Sequence, residues 1–437
     1  MNGFSVETPE AAGASMHDLM RRLFPICRSL TGEGVRESFR ILQELAPIGM
    51  YEVASGTQVL DWIVPDEWSI RDGYVADDAG NRVIDFRANN LHVLGYSEPV
   101  DATFTLDELR PHLHSLPDQP DAIPYLTSYY ARRWGFCLTD RQLQALKPGS
   151  YRAVIDATLA PGSLTLADWV IPGDSDEEVL LATNICHPSM ANNELSGPVT
   201  VLALGLWLMG LPERRYTYRL AFLPETIGAV AYLDRHLDHM KAKTIAGYQV
   251  VCTGGPDDFT YLESRHGNSL ADRAALNVLA HDGRPYRVLD HTRRASDERQ
   301  WCSPGAGLPV GSLMRSKYHD YAEYHTSLDD LDFVRPEHLA AAFDIYCKII
   351  RTLEMNRSWR STLRAGEPQL GRRGLYPSMG GRNHLDADVE ALSAVLGYAD
   401  GSMDMIAIAD AHKRSALGLA PAAAKLYAAG LIVEDRG

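Results

Sequence analysis

The alternation of apolar and polar positions changes rhythm along the chain, and each rhythm predicts a different architecture. Residues 15–45 carry two helical stretches separated by Leu30-Thr31-Gly32-Glu33-Gly34, with Val35, Phe39, Ile41 and Leu42 on one face of the second. From about 50 to 155, short apolar runs (TQVLDWIV, RVIDF, LHVLGY, YRAVIDATL) alternate with turn-formers such as PDEW and KPGS, which predicts a small strand-rich unit. From 175 the rhythm is strand, then helix. A strand over 178–183 is followed by polar NICHPSMANNELSG and a helix over 199–211, with Ser196 its candidate N-cap; a strand over 218–223 and a helix over 227–239 come next. Such interleaving predicts an open, largely parallel α/β sheet with helices on both faces. Ligands bind such sheets beyond the carboxyl ends of the strands, where the polar segments after 183 and 223 fall. Beyond 366, the turn-rich EPQLGRRGLYPSMGG precedes helical patterns near 386–396, 402–412 and 420–429 and a terminal LIVED, the spacing of a small winged-helix-like module.

Length and charge refine this picture. A chain of 437 residues exceeds one compact core. The expected division is an α/β domain from 1–50 and 155–365, an inserted β-rich domain at 51–154, and the winged-helix-like domain at 376–437. A formal charge of −15 opposes nucleic acid and anionic membrane as partners. The C-terminal stretch 367–437 itself holds seven Lys/Arg against nine Asp/Glu, without the basic face that DNA reading needs. Six scattered cysteines, none spaced as CxxC, predict free thiols in a reducing compartment. No basic-then-apolar leader opens the sequence, and the longest apolar run, 199–211, is too short to span a bilayer. A cytoplasmic protein is expected, with homo-oligomerisation left open.

Four segments hold groups suited to metal or acid–base chemistry. His187 follows Cys186 at a strand end, and Asn193-Glu194 lie six residues on, so an imidazole and a carboxylate could meet at a divalent metal; zinc accepts both. Glu225 stands at the next strand-to-helix turn, where it could take a proton from a water or simply cap the helix. Ser296-Asp297-Glu298-Arg299 offers two acids and a base, which a solvated ion-pair cluster would explain equally well. Glu323-Tyr324-His325 supplies a distant second imidazole. Cys186 reads as a buried thiol, because neighbours on a strand face opposite ways.

The runs CHPSMANNELSGP, FLPETIGAVAYL, SDERQWCSPG and AEYHTSLDDLDF together resemble a bacterial aminopeptidase-like family of the DUF4910/DUF2172 type, related to zinc exopeptidases that include aminopeptidases and glutaminyl cyclases. LFPICRSLTGEGVRES, DWIVPDEW, HSLPDQPDAIPYLTSYYARRWGFC and LGRRGLYPSMGG resemble it too, so the likeness spans nearly the whole chain. It implies a zinc-exopeptidase-like (phosphorylase/hydrolase-like) core, the inserted β-rich domain and the winged-helix-like C-terminus. It also implies a zinc-dependent hydrolase of an amide or peptide bond in a small amino-acyl substrate, with natural-product or polysaccharide biosynthesis as the setting. On this reading a single zinc, rather than a dinuclear centre, is held by His187, Glu194 and His325, and Glu225 is the general base. Asn193, Asp297, Glu298, Arg299 and Tyr324 contact substrate, with the two acids toward an amine and Arg299 toward a carboxylate or phosphate. The chain departs from the family pattern at Asn193 (bridging acid), Thr226 (acidic ligand) and Gly255 (acidic ligand), and the strand-end imidazole aligns with either His187 or Asn184. The alternative is a binding or scaffold protein that kept the fold and lost catalysis.

Overall fold

The computed structural model describes residues 3–376 and 387–435. The end of the linker motif (377–381) and the first residue of the 386–396 pattern lie outside the described residues. The chain forms two compact units, Met1–Gly267 with Arg287–Phe343, and Asn268–Tyr286 with Asp344–Gly437.

The first unit is built on an eight-stranded sheet in the order Gly49–Ala54, Ser163–Ile171, Thr217–Leu223, Glu178–Asn184, Thr244–Gln249, Val310–Arg315, Phe259–Leu262, Tyr286–Leu289. The four central strands, Thr217–Leu223 through Val310–Arg315, are parallel, as the strand–helix rhythm predicts. Antiparallel strands flank them: Ser163–Ile171 pairs with Thr217–Leu223, and Phe259–Leu262 with Val310–Arg315. Every residue of Glu178–Asn184 is buried, as befits a strand covered on both faces. From Glu178–Asn184 the chain crosses through helix Ser196–Met209 to the neighbour on one side. From Thr217–Leu223 it returns through helix Ile227–Lys243 to the strand on the other side. Parallel crossovers are right-handed, so these opposite steps put the two helices on opposite faces and open a crevice between the strand ends. The loops 185–195 and 224–226 border that crevice.

Between the edge strand Gly49–Ala54 and its partner Ser163–Ile171 the chain makes the inserted unit, a four-stranded antiparallel sheet in the order Arg82–Asp85, Glu67–Ala76, Ser150–Ala160, Val100–Thr105. Gly49–Ala54 itself belongs to the main sheet, not to the insert. From the insert, the segment around Ile123–Tyr125 reaches the main domain: Pro124 bridges to Thr326, and the Tyr125 amide donates to the His325 carbonyl at 2.8 Å.

The second unit holds a three-stranded sheet with Ser358–Ser361 at its centre, flanked by Asp400–Asp404 and Ile432–Glu434, and helices Ala387–Gly397, Met405–Ala411 and Ala416–Ala428. It begins well before residue 376, because its central strand precedes the linker. It also takes in helix Leu270–Asp282. The buried Asn277 of that helix donates to Asp410 Oδ1 (2.7 Å) and the Arg414 carbonyl (3.2 Å) and accepts from the Ala416 amide (2.8 Å), closing the turn between the last two helices.

Candidate metal centre and its relatives

The strand Glu178–Asn184 ends one residue before Ile185, and a tight loop follows in which Ser189 takes a left-handed φ of 44°. A π-helical turn, Ala191–Leu195, then leads directly into helix Ser196–Met209. Ser196 is therefore not an N-cap; its hydroxyl donates back to the Asn192 carbonyl at 2.5 Å. The π turn brings Glu194 under the loop. Its Oε1 accepts the His187 amide at 2.8 Å and also the Cys186 amide, while Oε2 lies 2.9 Å from His187 Nδ1. Burial alone would raise the Glu194 pKa, but His187 and the two amides outweigh it and hold the carboxyl below its ordinary value. His187 is shifted the other way: burial lowers its pKa, and Glu194 and Glu225 more than reverse that.

With Nδ1 fixed by Glu194, the other ring nitrogen of His187 faces Glu225, whose Oε2 is 3.7 Å away. Glu225 differs from the other acids here in one respect. Its side chain is 25% exposed, whereas Glu194, Asp297 and Glu298 are sealed. Burial, with Glu194 and Glu298 adding to it, raises the Glu225 pKa against the pull of His187 and Arg299. His325, in a strained left-handed conformation (φ 56°), places its ring 5.3 Å from that of His187, centroid to centroid. Tyr324 stacks on it at 3.9 Å, and burial followed by the nearby His187 pushes the His325 pKa down to about 2, so the imidazole is neutral. Cys186, His187 and Glu194 hold ligand atoms within 4.8 Å of one another. The strand-face argument for Cys186 does not apply, because the strand has already ended; Sγ lies 3.2 Å from His187 Nδ1. Burial pushes its thiol well up, so it stays protonated.

A polar pocket lined by Asn184, Asn193, Glu225, Ser296, Tyr318 and Tyr324 adjoins these groups. Asn184 is fully engaged: Nδ2 donates to Ser296 Oγ (3.1 Å) and Oδ1 accepts from Gln249 Nε2 (2.9 Å). The remaining acids of the sequence reading have protein partners on one oxygen each, and Asp297 Oδ2 and Glu298 Oε2 are buried without one. Asp297 Oδ1 accepts the Thr226 amide at 2.9 Å, and Glu298 Oε1 accepts the Ala295 and Ser296 amides and the Tyr318 hydroxyl. Arg299 Nη2 donates to Thr226 Oγ1 at 2.7 Å.

Other groups of this centre went unremarked in the sequence. Arg28, wholly buried, donates Nε to the His187 carbonyl at 3.1 Å. Asp329 accepts the Asn192 and Asn193 amides (2.6 and 2.9 Å) and the Tyr321 hydroxyl (3.0 Å), tying the His325 loop to the π turn. Tyr125 packs its ring 4.8 Å from His187 and bonds the Tyr129 hydroxyl at 2.8 Å. All three stand inside the runs that carry the family resemblance, which was the available signal.

Residues 17–356 match the model of a domain of unknown function, DUF4910, and residues 357–434 that of a winged helix-turn-helix. The chain belongs to the DUF4910 family. One member, from Clostridium acetobutylicum and provisionally named a polysaccharide biosynthesis protein with an aminopeptidase-like domain, is 43% identical over 404 residues, 92% of each chain. A crystal structure from the same organism, of a protein provisionally called a peptidase, superposes with a TM-score of 0.93 at 40% identity over 98% of both chains. A zinc aminopeptidase of Bacillus subtilis gives a TM-score of 0.57 at 12% identity, covering 79% of this chain and 95% of its own, a likeness of fold. This DUF4910 chain thus pairs an aminopeptidase fold with a winged-helix unit.

Proposed function

We propose that the protein is a metal-dependent hydrolase of an amide bond in a small amino-acyl or peptide substrate. The observation that supports this best is the solvent-reaching Glu225 carboxylate at 3.7 Å from the His187 ring nitrogen, with the His325 ring close by, at the sheet's crevice. The donor set suits one zinc ion held by His187, through the ring nitrogen that faces Glu225, and by His325; Glu194, expected as a third ligand, sits instead on the other ring nitrogen of His187 and on two backbone amides. The set does not suit two, because Asn184, Asn193, Thr226 and Gly255 are neutral where a second ion would need further ligands, and Asp257 and Asp258 are exposed. Bound there, the ion would supply Lewis acidity to the scissile carbonyl.

The chain's own residues account for the rest. Glu225 accepts the proton of the attacking water, and its raised pKa strengthens it as a base. Glu194 keeps the His187 ring oriented, as carboxylates beside metal-ligating imidazoles do. Asn193 and Tyr324 offer hydrogen bonds to substrate from the pocket wall. The polysaccharide-biosynthesis name of the Clostridium relative suggests the biological setting, a precursor that carries an amide-linked group.

Two measurements test the reading. Protein purified without chelator should hold about one zinc per chain, and His325→Ala should lose it. On a panel of aminoacyl amides, Glu225→Gln should lower the rate at least about a hundredfold. A binding or scaffold protein is the second reading, favoured by the neutral residues at 184, 193 and 226. It requires a metal-free wild type that hydrolyses none of the panel.

A further inference from the structure

Glu225 is carried on a turn that no chain adopts without help. Thr226 has φ 63° and ψ −77°, and the Ile227 amide donates to the Glu225 carbonyl at 2.8 Å across it. This is the γ-turn of the strained hand, seldom seen even for small residues. A β-branched side chain at positive φ is a genuine outlier. Strain of this kind persists where surrounding contacts over-determine it. Here they come from one neighbouring segment. Asp297 Oδ1 accepts the Thr226 amide at 2.9 Å, and Arg299 Nη2 donates to the Thr226 hydroxyl oxygen at 2.7 Å. A third hold, the Glu225 amide on Cys186 Sγ at 3.2 Å, fixes the turn from the His187 loop.

We infer that Asp297 and Arg299 are positioning residues: they clamp the strained Thr226 turn and thereby aim the Glu225 carboxylate at His187 and the crevice. This differs from the substrate-contact roles that their residue types suggest. Asp297 is buried, with one oxygen on the Thr226 amide. The side chain of Arg299 reaches across the helix start rather than into the pocket lining. The helix Ile227–Lys243 gains its direction from the same turn, so base and helix are set together. The aiming role rests on the hydrolase reading above; the clamp itself does not.

Conservative variants separate the clamp from a substrate-binding role. Asp297→Asn keeps an acceptor for the Thr226 amide and should retain the wild-type kcat within about twofold, whereas Asp297→Ala should lower kcat at least about tenfold with KM little changed. An amine-binding Asp297 would instead make both variants equally damaging, through KM. Thr226→Val and Arg299→Ala remove the two ends of one hydrogen bond, so the double variant should lose no more than the worse single. Additive losses would overturn the pairing. Melting midpoints decide the clamp if no substrate is turned over. Asp297→Ala should lower the midpoint distinctly less in a Thr226→Gly background, because glycine accepts positive φ without restraint. Equal shifts in the two backgrounds sink the clamp. A coupled midpoint in a wild type that cleaves nothing leaves the clamp standing and removes the hydrolase reading alone.

Discussion

Glu178 is a carboxylate at the start of the most buried strand, and its neighbours explain how it is tolerated. Arg219, on the adjacent strand, meets it with two bonds of 2.7 and 2.8 Å, and His239 adds a third at 2.7 Å. Burial would raise its pKa, but Arg219 and His239 outweigh burial and hold the carboxyl below its ordinary value. A depressed folded pKa means stability that is present above the unfolded value, near 4.5, and lost as pH falls through the folded one. Glu178→Gln takes the nearer carboxylate from a buried guanidinium and leaves it Asp168 at 3.6 Å, and should cost about 2 kcal/mol near neutrality. The difference in unfolding free energy between wild type and variant, followed by denaturant titration, should shrink below about pH 4; a constant gap would contradict the assignment. At this scale the sequence was partly readable. His187 and Glu225 fall just past strand ends, as their segments suggested, and the structure brings the distant His325 beside His187; the chemistry read from their types is what the proposal above tests. Asp297 and Arg299 did not reveal their partner, since nothing in SDER says that an amide and a hydroxyl of Thr226, some seventy residues earlier in the chain, lie against them.

The elements were easier to read than their directions. The strand–helix rhythm after 175 is visible because each buried strand is a short apolar run and each helix repeats on its own period. Whether a strand flanking the parallel centre runs parallel or antiparallel leaves no such trace, so Ser163–Ile171 and Phe259–Leu262, both antiparallel, are not told apart from the central strands by pattern. The start of helix Ser196–Met209 departs from the cap expected at Ser196 because serine caps a helix only where the chain enters it extended, and here a π turn runs straight in. The adjacent Gly197 has a packing role. A Cβ at this position would sit 2.3 Å from Thr183 Oγ1 and 2.3 Å from the Val250 carbonyl, so the helix lies closer to the strand Glu178–Asn184 and to the chain just past Thr244–Gln249 than any side chain permits. Gly197→Ala should therefore destabilise by about 1–3 kcal/mol despite alanine's better helix propensity. Because this helix continues from the turn that bears Glu194, the zinc site proposed above would be disturbed with it, and the variant should then also hold less metal. A variant as stable as wild type would mean the helix can shift freely, and the tight packing argument would fail.

For the molecule as a whole, charge and the winged-helix unit pull in different directions, and the charges around its last helix give the grounds for a prediction. Three short helices were readable from spacing, but the sheet was not: its central strand Ser358–Ser361 precedes the linker, and Asp400–Asp404 runs into the start of the 402–412 helical pattern. Nor was Asn277, contributed by a helix far upstream, since it belongs to no local pattern. A winged helix-turn-helix reads DNA by laying its second helix in the major groove among phosphates, so it needs free cations on and around that helix. Helix Ala416–Ala428 presents Gly418, Pro421, Ala424, Lys425 and Tyr427 to solvent. Lys425 is paired with Asp388 at 2.8 Å and Arg414, just before the helix, with Glu390, while the exposed Lys413 beside it has no ion pair among the described residues. A phosphate approaching this face would have to displace a carboxylate from Lys425 and from Arg414, against a chain of net charge −15. Fold alone does not restore the function. Titration of the full chain with a fluorescent duplex should therefore show no binding at 10 µM protein in about 0.1 M salt. Affinity that falls steeply with salt would show that the carboxylates are displaced after all and that the acidic balance had been given too much weight.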